Sequence, residues 1–402
     1  MNFLVNSKKL LILIAASFLI LLTVELIYMN EKILLNANLD AQMLILTRTN
    51  NKIDKLNEYK EHHEIIMKQS IQRNQSLKIV FNVPAQGGYG QKVYSFLTSL
   101  LIAILTDSAL LVNWKHIDKF IDEPMYQTFN RFDHVMNEFN VEFNTQDIYF
   151  FKIIKSKHMN ESINTVIPFN YTRMFYDSVD SRYFFEICSN PIYYDKFLSY
   201  DLVRNETISQ AMIKLNDPFS NDDIKLNKLF KIGFEVGGNL LNKFWLPKQT
   251  IQNVLDYYLE TKFGSNYVIG IQIGSNSMAN NDDLLVNCAL ELEKKEVNKM
   301  MVVKWFISSD SPIILERLLN QYGQDKIIVA NGTVGRIDLD SNSYERTILD
   351  NELLSKCNQL IVTSSKSSFG FIAAMRMQKM PYIIDKTTIN GCSRMNLSLL
   401  NK

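Results

Sequence analysis

The sequence lacks the excess of positive charge that nucleic-acid-binding proteins carry. Its 402 residues include 43 lysines and arginines against 42 aspartates and glutamates, which gives a formal net charge of +1 at pH 7. Broad binding to a phosphate backbone needs a clear surplus of basic residues, so nucleic acid is excluded as the main partner. An anionic ligand would have to be bound by a local site.

Histidine and cysteine are scarce, and this limits the chemistry that the chain can carry. The five histidines follow no nucleophile–base pattern, and no ligand cluster suggests a metal, so we predict neither a triad hydrolase nor a metal centre, and no cofactor. The cysteines lack the close CxxC spacing of a zinc or redox site. Their even number permits two disulfides with three possible pairings, while buried free thiols are the alternative. The cysteines are Cys188, Cys288, Cys357 and Cys392.

An apolar stretch near the N-terminus predicts a membrane anchor. Lys8 and Lys9 precede residues 10–29, in which Glu25 is the single charge. This length is close to the ~20 residues of a transmembrane helix. Because the residues at its end are not small, as signal-peptide cleavage requires, we predict an uncleaved signal anchor over a cleaved signal peptide or a buried core helix. The flanking lysines place residues 1–9 in the cytosol and the remaining chain in the lumen.

The next segment, residues 30–76, is predicted to be a stem. It is polar, rich in asparagine and lysine, and free of glycine and proline. A helix is plausible, but Lys60 and His63 occupy core positions of a broken heptad, so a strong coiled coil is not expected. Sequons for N-glycosylation, all beyond the apolar stretch, agree with a lumenal location. They begin at Asn74, Asn160, Asn170, Asn205, Asn331 and Asn396.

The globular part begins with a strand, a glycine-rich loop, a helix and a second strand. A β-branched run over residues 77–83 leads into Gly87-Gly-Tyr-Gly90, then into an apolar helical stretch over 93–105 and a strand over 109–113. This order predicts a parallel βαβ unit. The segment from about residue 118 to 242 is aromatic and irregular, and we expect it to complete the first domain and to hold variable loops.

Strands and helices alternate again in the last third of the chain. The order indicates a doubly wound sheet. We therefore predict an α/β fold of two facing Rossmann-like domains, residues 77–242 and 243–402, with a ligand cleft between them. The predicted strands cover residues 267–273, 302–308, 326–330, 359–363 and 382–384, and the predicted helices cover 282–297, 312–322, 347–357 and 368–378.

Loops that follow strands are the candidate sites, because ligands of open α/β sheets bind outside the carboxyl ends of the strands. The glycines of residues 87–90 let backbone amides approach a phosphate or sugar beside a helix N-terminus, or they serve a structural tight turn. Residues 363–370, Thr-Ser-Ser-Lys-Ser-Ser-Phe-Gly, offer hydroxyls and unpaired amides at a helix start. They exceed what an N-cap needs, which favours phosphate binding. Asp310, in a third loop, either caps a helix or contacts a nucleotide.

Together these loops resemble those of fucosyltransferases of the plant xyloglucan type, and more distantly those of the α1,2- and protein-O-fucosyltransferases. The resemblance spans most of residues 77–385. It implies a GT-B fold, a GDP-fucose donor and inverting transfer of fucose to a glycan hydroxyl without an obligatory metal, in a single-pass type II Golgi membrane protein. The blocks that carry it are Gly88-Tyr-Gly-Gln-Lys-Val-Tyr-Ser95, Val268-Ile-Gly-Ile-Gln-Ile273 and residues 349–381.

Carried over by position, the resemblance implies a set of donor-binding residues. The glycines of the first block would shape the cleft wall, residues 367–369 would contact the phosphates, and Asp310 would lie near the nucleotide. Asp350 would be structural or contact the base. The full set is Gly88, Gly90, Gln91, Gln272, Gly274, Asp310, Asp350, Ser367, Ser368 and Phe369.

One position departs from the family's pattern. The Gly-Ile-Gln-Ile strand normally ends in an arginine that grips the β-phosphate, and here the residue is Gly274. A guanidinium makes bidentate, charge-assisted bonds that glycine cannot make. Arg336 and Lys366 are the candidates to supply charge instead. The sequence thus supports two hypotheses, a Golgi fucosyltransferase or a non-catalytic lumenal relative that binds a sugar nucleotide or a glycan. It identifies neither the glycan or glycoprotein acceptor nor a catalytic base.

Overall fold

The computed structural model describes most of the globular part of the chain. It divides the chain into two compact units, residues 1–57 and 58–402, and the features below belong to the second. Among the described residues, no helix combines the length and the apolar composition needed to cross a membrane; the predicted anchor over residues 10–29 lies outside them. The described residues are 55–72, 79–82, 84, 87–129, 173–174, 181–274, 282–296, 301–337, 340–363, 367–384 and 392–397.

These residues form eleven α-helices and nine strands. The helices are α1 (Lys55–Gln72), α2 (Tyr89–Leu105), α3 (Ser181–Cys188), α4 (Tyr194–Ser199), α5 (Asn205–Leu215), α6 (Asp222–Phe244), α7 (Gln249–Tyr258), α8 (Asp282–Glu296), α9 (Pro312–Tyr322), α10 (Tyr344–Ser355) and α11 (Ser368–Arg376). The strands are β1 (Ile79–Asn82), β2 (Ala109–Val112), β3 (Arg173–Met174), β4 (Tyr267–Ile273), β5 (Val303–Ser309), β6 (Ile327–Ile328), β7 (Gln359–Val362), β8 (Tyr382–Ile384) and β9 (Cys392–Arg394).

The first sheet confirms the predicted βαβ unit. Its strands run in the order β2-β1-β3 and are parallel, with Ile79 opposite Ala109. Helix α2 connects β1 to β2 and begins at Tyr89, four residues before the predicted start, because Gly88 is the N-cap. Every residue of β1 and β2 is buried, as expected of a parallel sheet covered by other elements. The glycine loop therefore lies at the carboxyl end of β1.

The second sheet confirms the predicted alternation in the last third of the chain. The strand order is β6-β5-β4-β7-β8-β9, and all neighbours are parallel except β8 and β9. The chain first runs outward from β4 to β6 and then returns to the other side of β4 with β7. This reversal is the topological switch point at which doubly wound sheets bind ligands. The predicted bounds differ most at β6, which has two residues, and at α10, which begins at Tyr344.

The expectation of an irregular middle segment is wrong for residues 181–242, which are mainly helical. Helix α6, of 23 residues, continues through the predicted domain boundary at residue 242. A methyl group at Gly237 would lie 1.8 Å from Met375 Cε of α11, and one at Gly233 would lie 2.6 Å from Phe185 Cδ1 of α3. Glycines thus let neighbouring helices approach α6 closely. They weakened the helical signal in the sequence because glycine disfavours helix interiors.

Part of the predicted stem packs on the first sheet. From residue 58 onward α1 belongs to the same compact unit as the sheets, and the Tyr59 hydroxyl donates to Ser108 O at 2.9 Å. His63 is fully buried. Its Nδ1 accepts from Leu110 N–H at 3.1 Å, and its Nε2 lies 2.9 Å from Tyr126 O. Both ring nitrogens of His63, the polar residue that interrupts the heptad, therefore have hydrogen-bond partners beside β2.

Of the two disulfides that the cysteines permit, the described residues contain one. Cys288 of α8 is bonded to Cys392 of β9. Cys188 and Cys357 are buried free thiols, and burial raises the pKa of each.

The sequons can be placed only in part. Asn205, Asn331 and Asn396 are exposed, while the predicted sites at residues 74, 160 and 170 lie outside the described residues. Their glycosylation stays a prediction.

Candidate functional site

The predicted donor-binding residues meet at one cavity of about 250 Å³ at the carboxyl ends of the strands. This volume is slightly below the range for small-molecule sites, roughly 300–1,000 Å³. Ser367 does not line the cavity; its hydroxyl donates to Gln272 Oε1 at 2.6 Å. The other nine do line it, namely Gly88, Gly90, Gln91, Gln272, Gly274, Asp310, Asp350, Ser368 and Phe369. The structure brings the set together, and its donor-binding role stays a prediction.

The ends of β4 and β7 are cross-linked below the cavity. Thr363 Oγ1 lies 3.0 Å from Gln272 O and 3.2 Å from Gln272 Oε1, and it accepts from Gly274 N–H at 3.2 Å. Ser367 adds its bond to the same side-chain amide and caps α11 by accepting from Gly370 N–H at 3.4 Å. Part of the hydroxyl-rich run therefore fixes the strand ends. Ser368 and the first-turn amides of α11 remain to face a ligand.

Gly90 permits an unusually close approach between the starts of two helices. A methyl group there would lie 2.5 Å from both Phe369 N and Ser368 C, so the backbones of α2 and α11 are in direct contact. The rings of Tyr89 and Phe369 meet edge-on beside them, with centroids 5.9 Å apart. Two helix N-termini, each with unsatisfied N–H groups and a partial positive charge, thus border the cavity together. Such an arrangement favours an anion.

Gly274, by contrast, is not required by packing. A methyl group at this position would have Gln272 Nε2 at 3.7 Å and Thr363 Oγ1 at 4.0 Å as its nearest described neighbours. These are ordinary van der Waals distances. The backbone at the end of β4 can therefore accommodate a side chain at position 274. In the family that the sequence resembles, the corresponding strand ends in arginine.

A buried ion pair forms another part of the cavity wall. Arg346 Nε donates to Asp350 Oδ1 at 2.7 Å, and Ser308 Oγ donates to Asp350 Oδ2 at 2.9 Å. Arg346 Nη1 also donates to Ala330 O. Both charged side chains are 5% exposed. Burial raises the pKa of the Asp350 carboxyl, and Arg346 and Ser308 oppose that shift.

Sequence reasoning missed Arg346 and Tyr89, although both line the cavity. Arg346 precedes the predicted start of its helix by one residue. An earlier predicted start would have placed Arg346 and Asp350 in the same helix, where their separation of four residues is the spacing of a helical ion pair. Tyr89 carries no charge and follows a glycine, so no sequence signal marks it. Its hydroxyl accepts from Trp245 Nε1 at 2.8 Å, and burial raises its pKa well above the usual value.

The described residues contain no group of three or more histidine, cysteine, aspartate or glutamate side chains that could hold a metal ion. The charged groups that line the cavity are Asp310, Arg336, Arg346 and Asp350.

Sequence comparisons find no matching family model and no matching curated protein. Solved structures of similar fold do exist. A variant of Arabidopsis thaliana FUT1 with an arginine replaced by lysine, in complex with GDP, matches with a TM-score of 0.53 at 16% identity, over 86% of this chain and 83% of that one. The chain has a fucosyltransferase-like fold.

Two further fucosyltransferase structures match less well. NodZ from Bradyrhizobium has a TM-score of 0.45 at 12% identity, over 80% of this chain and 100% of that one. The apo form of POFUT1 has a TM-score of 0.34 at 9% identity, over 77% of this chain and 97% of that one. The likeness to FUT1 confirms the predicted α/β architecture with parallel sheets, which resembles the GT-B fucosyltransferases. In this fucosyltransferase-like fold, the cavity lies at the switch point between β4 and β7.

Proposed function

We propose that this protein binds GDP-fucose in the cavity and transfers fucose to a hydroxyl group of a glycan or glycoprotein, with inversion at the anomeric carbon. One observation supports this proposal above the others. Nine residues that the family resemblance implies for donor binding line a single cavity, in a chain that shares its fold with a FUT1 variant in complex with GDP.

The diphosphate of the donor would lie at the joined starts of α2 and α11. There the backbone N–H groups and the Ser368 hydroxyl are available as donors, and the two helix dipoles favour negative charge. In the transfer step the acceptor oxygen attacks the anomeric carbon, and the bond from that carbon to the β-phosphate oxygen breaks. GDP leaves with the bonding electrons, while the acceptor proton passes to a base. Preorganised donors at the leaving oxygen stabilise the charge that develops there.

The decisive experiment offers the purified full-length protein a panel of sugar nucleotides and measures both binding and GDP release. Binding of GDP-fucose with hydrolysis or transfer supports the proposal. Absence of binding to any GDP-sugar refutes it.

A second candidate function is donor binding without transfer, by a non-catalytic lumenal relative. Gly274 favours it, because it stands where the family has an arginine that binds the β-phosphate. The loss of one such contact typically costs about 3–4 kcal/mol of transition-state stabilisation. GDP-fucose binding without turnover would support this candidate. Transfer by the wild-type protein would exclude it.

We also propose that the protein acts in the Golgi lumen, held by a single membrane span over residues 10–29. The apolar composition of that stretch, the lysines before it and the exposed sequon asparagines support this location. Protease protection of the C-terminal part in sealed microsomes, with a mobility shift on glycosidase treatment, is the expected result. Digestion of the C-terminal part without detergent would refute the orientation.

A further inference from the structure

The sequon at Asn331 leads directly into the wall of the cavity. Asn331, Gly332 and Thr333 lie shortly after β6 and are exposed, and the next four residues, 334–337, line the cavity. Asn331 is three residues from Val334, so even a fully extended chain would place them no more than about 11 Å apart. A group attached to Asn331 would therefore lie beside the cavity.

The backbone of this sequon is held in place against a residue of the cavity wall. Asn331 N–H donates to the Tyr258 hydroxyl at 2.9 Å, and Ala330 O accepts from Arg346 Nη1. Gly332 has a φ of +115°, and a methyl group there would lie 3.2 Å from Arg346 Cβ. Because Arg346 itself lines the cavity, the sequon is fixed next to the site.

The two other sequons that the structure describes differ from it. In the sequon that begins at residue 205, Thr207 is buried and its hydroxyl donates to Glu235 Oε2 at 2.5 Å. In the sequon that begins at residue 396, Leu397 is buried. None of their described residues lines the cavity. A glycan at either position would leave the surroundings of the cavity unchanged, so each offers an internal reference for the sequon at Asn331.

A glycan on Asn331 would act through its size. N-linked glycans are bulky, solvated and confined to the surface, and a chain of several sugar units exceeds the short separation between Asn331 and the cavity wall. Its attachment point cannot move far, since the backbone there is bonded to Tyr258. The sugar chain would thus occupy space that a large ligand needs and leave room for a small one.

We propose that an N-glycan on Asn331 stands beside the cavity and restricts it to acceptors that enter by a narrow part, such as a chain end or an exposed branch of a glycan. In the modification, the Asn331 amide nitrogen bonds to the anomeric carbon of the glycan and loses a proton. The lipid pyrophosphate that carried the glycan leaves with the bonding electrons. This inference rests on the proposed function in that it needs a lumenal location and a cavity that admits an acceptor.

The first test measures whether Asn331 is modified. Full-length protein from a secretory host that performs N-glycosylation is digested, and mass spectrometry of the glycopeptides gives the occupancy at Asn331 and Asn205. We expect a glycan on most copies of Asn331. An unmodified Asn331 beside an occupied Asn205 would refute this inference alone, whereas unmodified sequons throughout would refute it together with the lumenal location.

The second test measures access to the cavity without a substrate. Gly335→Cys places a thiol on the cavity wall, where the nearest described neighbour of a Cβ atom is 3.6 Å away. The chain's own four cysteines are disulfide-bonded or buried, so they should not react. The rates of alkylation by N-ethylmaleimide and by a maleimide on a long polyethylene glycol chain are then compared. Val334→Cys serves in the same way if Gly335→Cys fails to fold.

These rates are measured with and without the glycan by changing the third residue of the sequon. Thr333→Ala removes the acceptor signal and Thr333→Ser keeps it. We expect Thr333→Ala to speed the large reagent by about fivefold or more and the small one by less than about twofold, since a bulky neighbour hinders a bulky partner most. Thr333→Ser should leave both rates unchanged. Equal rates in the alanine and serine variants would overturn the proposal.

A thiol far from the sequon provides the control. Ile213 is 66% exposed on α5, and no described residue of that helix lines the cavity. Thr333→Ala should not alter the labelling of Ile213→Cys by either reagent. If the large reagent were accelerated there as well, the glycan would act on the whole surface and not at the cavity, and the proposal would be wrong.

The outcome is independent of catalysis, because none of these rates needs GDP binding or turnover. A protein in which Thr333→Ala opens the cavity but which transfers nothing keeps the glycan at the cavity and refutes the transferase. If fucose is transferred, Thr333→Ala should raise transfer to a glycoprotein relative to transfer to a short oligosaccharide. Transfer with the same preference in both Thr333 variants, and with equal labelling rates, would refute only this inference.

Discussion

The contact between the starts of α2 and α11 predicts that Gly90→Ala disrupts donor binding. The added methyl group would lie 2.5 Å from Phe369 N and Ser368 C, about 1 Å inside the ordinary contact distance of roughly 3.5 Å. Both neighbours are backbone atoms, so no side-chain rotation can relieve the clash. The two helices must therefore move apart by about 1 Å.

The magnitude follows from two opposed terms. Alanine is better than glycine in a helix by about 0.5–1 kcal/mol, while overpacking a close contact costs about 1–3 kcal/mol. We expect a net loss of about 1–2 kcal/mol in the free energy of unfolding. The effect on binding should be larger, because a shift of 1 Å in the groups that position a ligand can cost as much as 100-fold. We expect GDP to bind at least about tenfold more weakly.

Urea unfolding followed by circular dichroism measures the stability, and calorimetric titration with GDP measures the binding. Gly335→Ala is the matched control, since its methyl group also enters the cavity wall but has no neighbour nearer than 3.6 Å among the described residues. It should leave the stability within about 0.5 kcal/mol of wild type, as expected where no special mechanism acts. If Gly90→Ala were more stable than wild type and bound GDP equally well, the close approach would have no role in the site.

Three further predictions concern the missing arginine, a buried histidine and the disulfide. Gly274→Arg should raise fucose transfer by about 100-fold or more if the site lacks only this charge; an unchanged rate in radiometric transfer assays would place the defect elsewhere. Burial lowers the pKa of His63 to about 4 from 6.5. The free energy of unfolding should therefore be highest above pH 6.5 and fall by about 3 kcal/mol as the pH drops toward 4, because only the unfolded chain binds the proton in this range. His63→Asn should flatten that loss in urea titrations, whereas substitution of the exposed His62 should not. Peptide mapping without reductant should recover Cys288 linked to Cys392, and replacing both by serine should cost about 2–5 kcal/mol of stability; a free Cys288 thiol in the folded protein would contradict the pairing.

The central strands of the second sheet could be predicted because each is a short, mostly apolar run that is largely buried, whereas β9 was not predicted because its residues are polar and partly exposed. Strand β4, for example, is buried at all seven positions and was predicted with its observed bounds. Its neighbours β5 and β7 were predicted to within one residue at each end. Such runs need no knowledge of the partner strand, since a parallel sheet buries every position.

The middle helices could not be predicted, because their burial depends on contacts far along the chain. In α6 the buried positions include Glu235, which accepts bonds from Arg204 N and Arg204 Nε, and three glycines that other helices approach. A carboxylate and glycines at core positions make a helix appear polar and broken. Their partners become visible only in the folded structure.

In the site, the sequence indicated which loops meet at the cavity, whereas the role of each residue stays a prediction. Ser367 was expected to contact phosphates, yet its hydroxyl holds the Gln272 side chain. Gly90 was expected to shape the cleft wall, and the physical reason is a backbone contact with Phe369. A motif marks where a family's loops lie, but it does not separate the groups that touch a ligand from those that support them.

The docking of α1 has a consequence for self-association. Among the described residues, β2 is an outer strand of its sheet, and an outer strand offers a row of unsatisfied backbone groups to a strand of another molecule. Here the outward N–H groups of Leu110 and Val112 are taken by His63 Nδ1 and by Thr128 O. The imidazole of His63, on α1, thus occupies a backbone N–H group of an edge strand that could otherwise pair with another strand. Losing the imidazole would leave the Leu110 N–H without this acceptor, so that a strand from a second copy of the chain could bond to it.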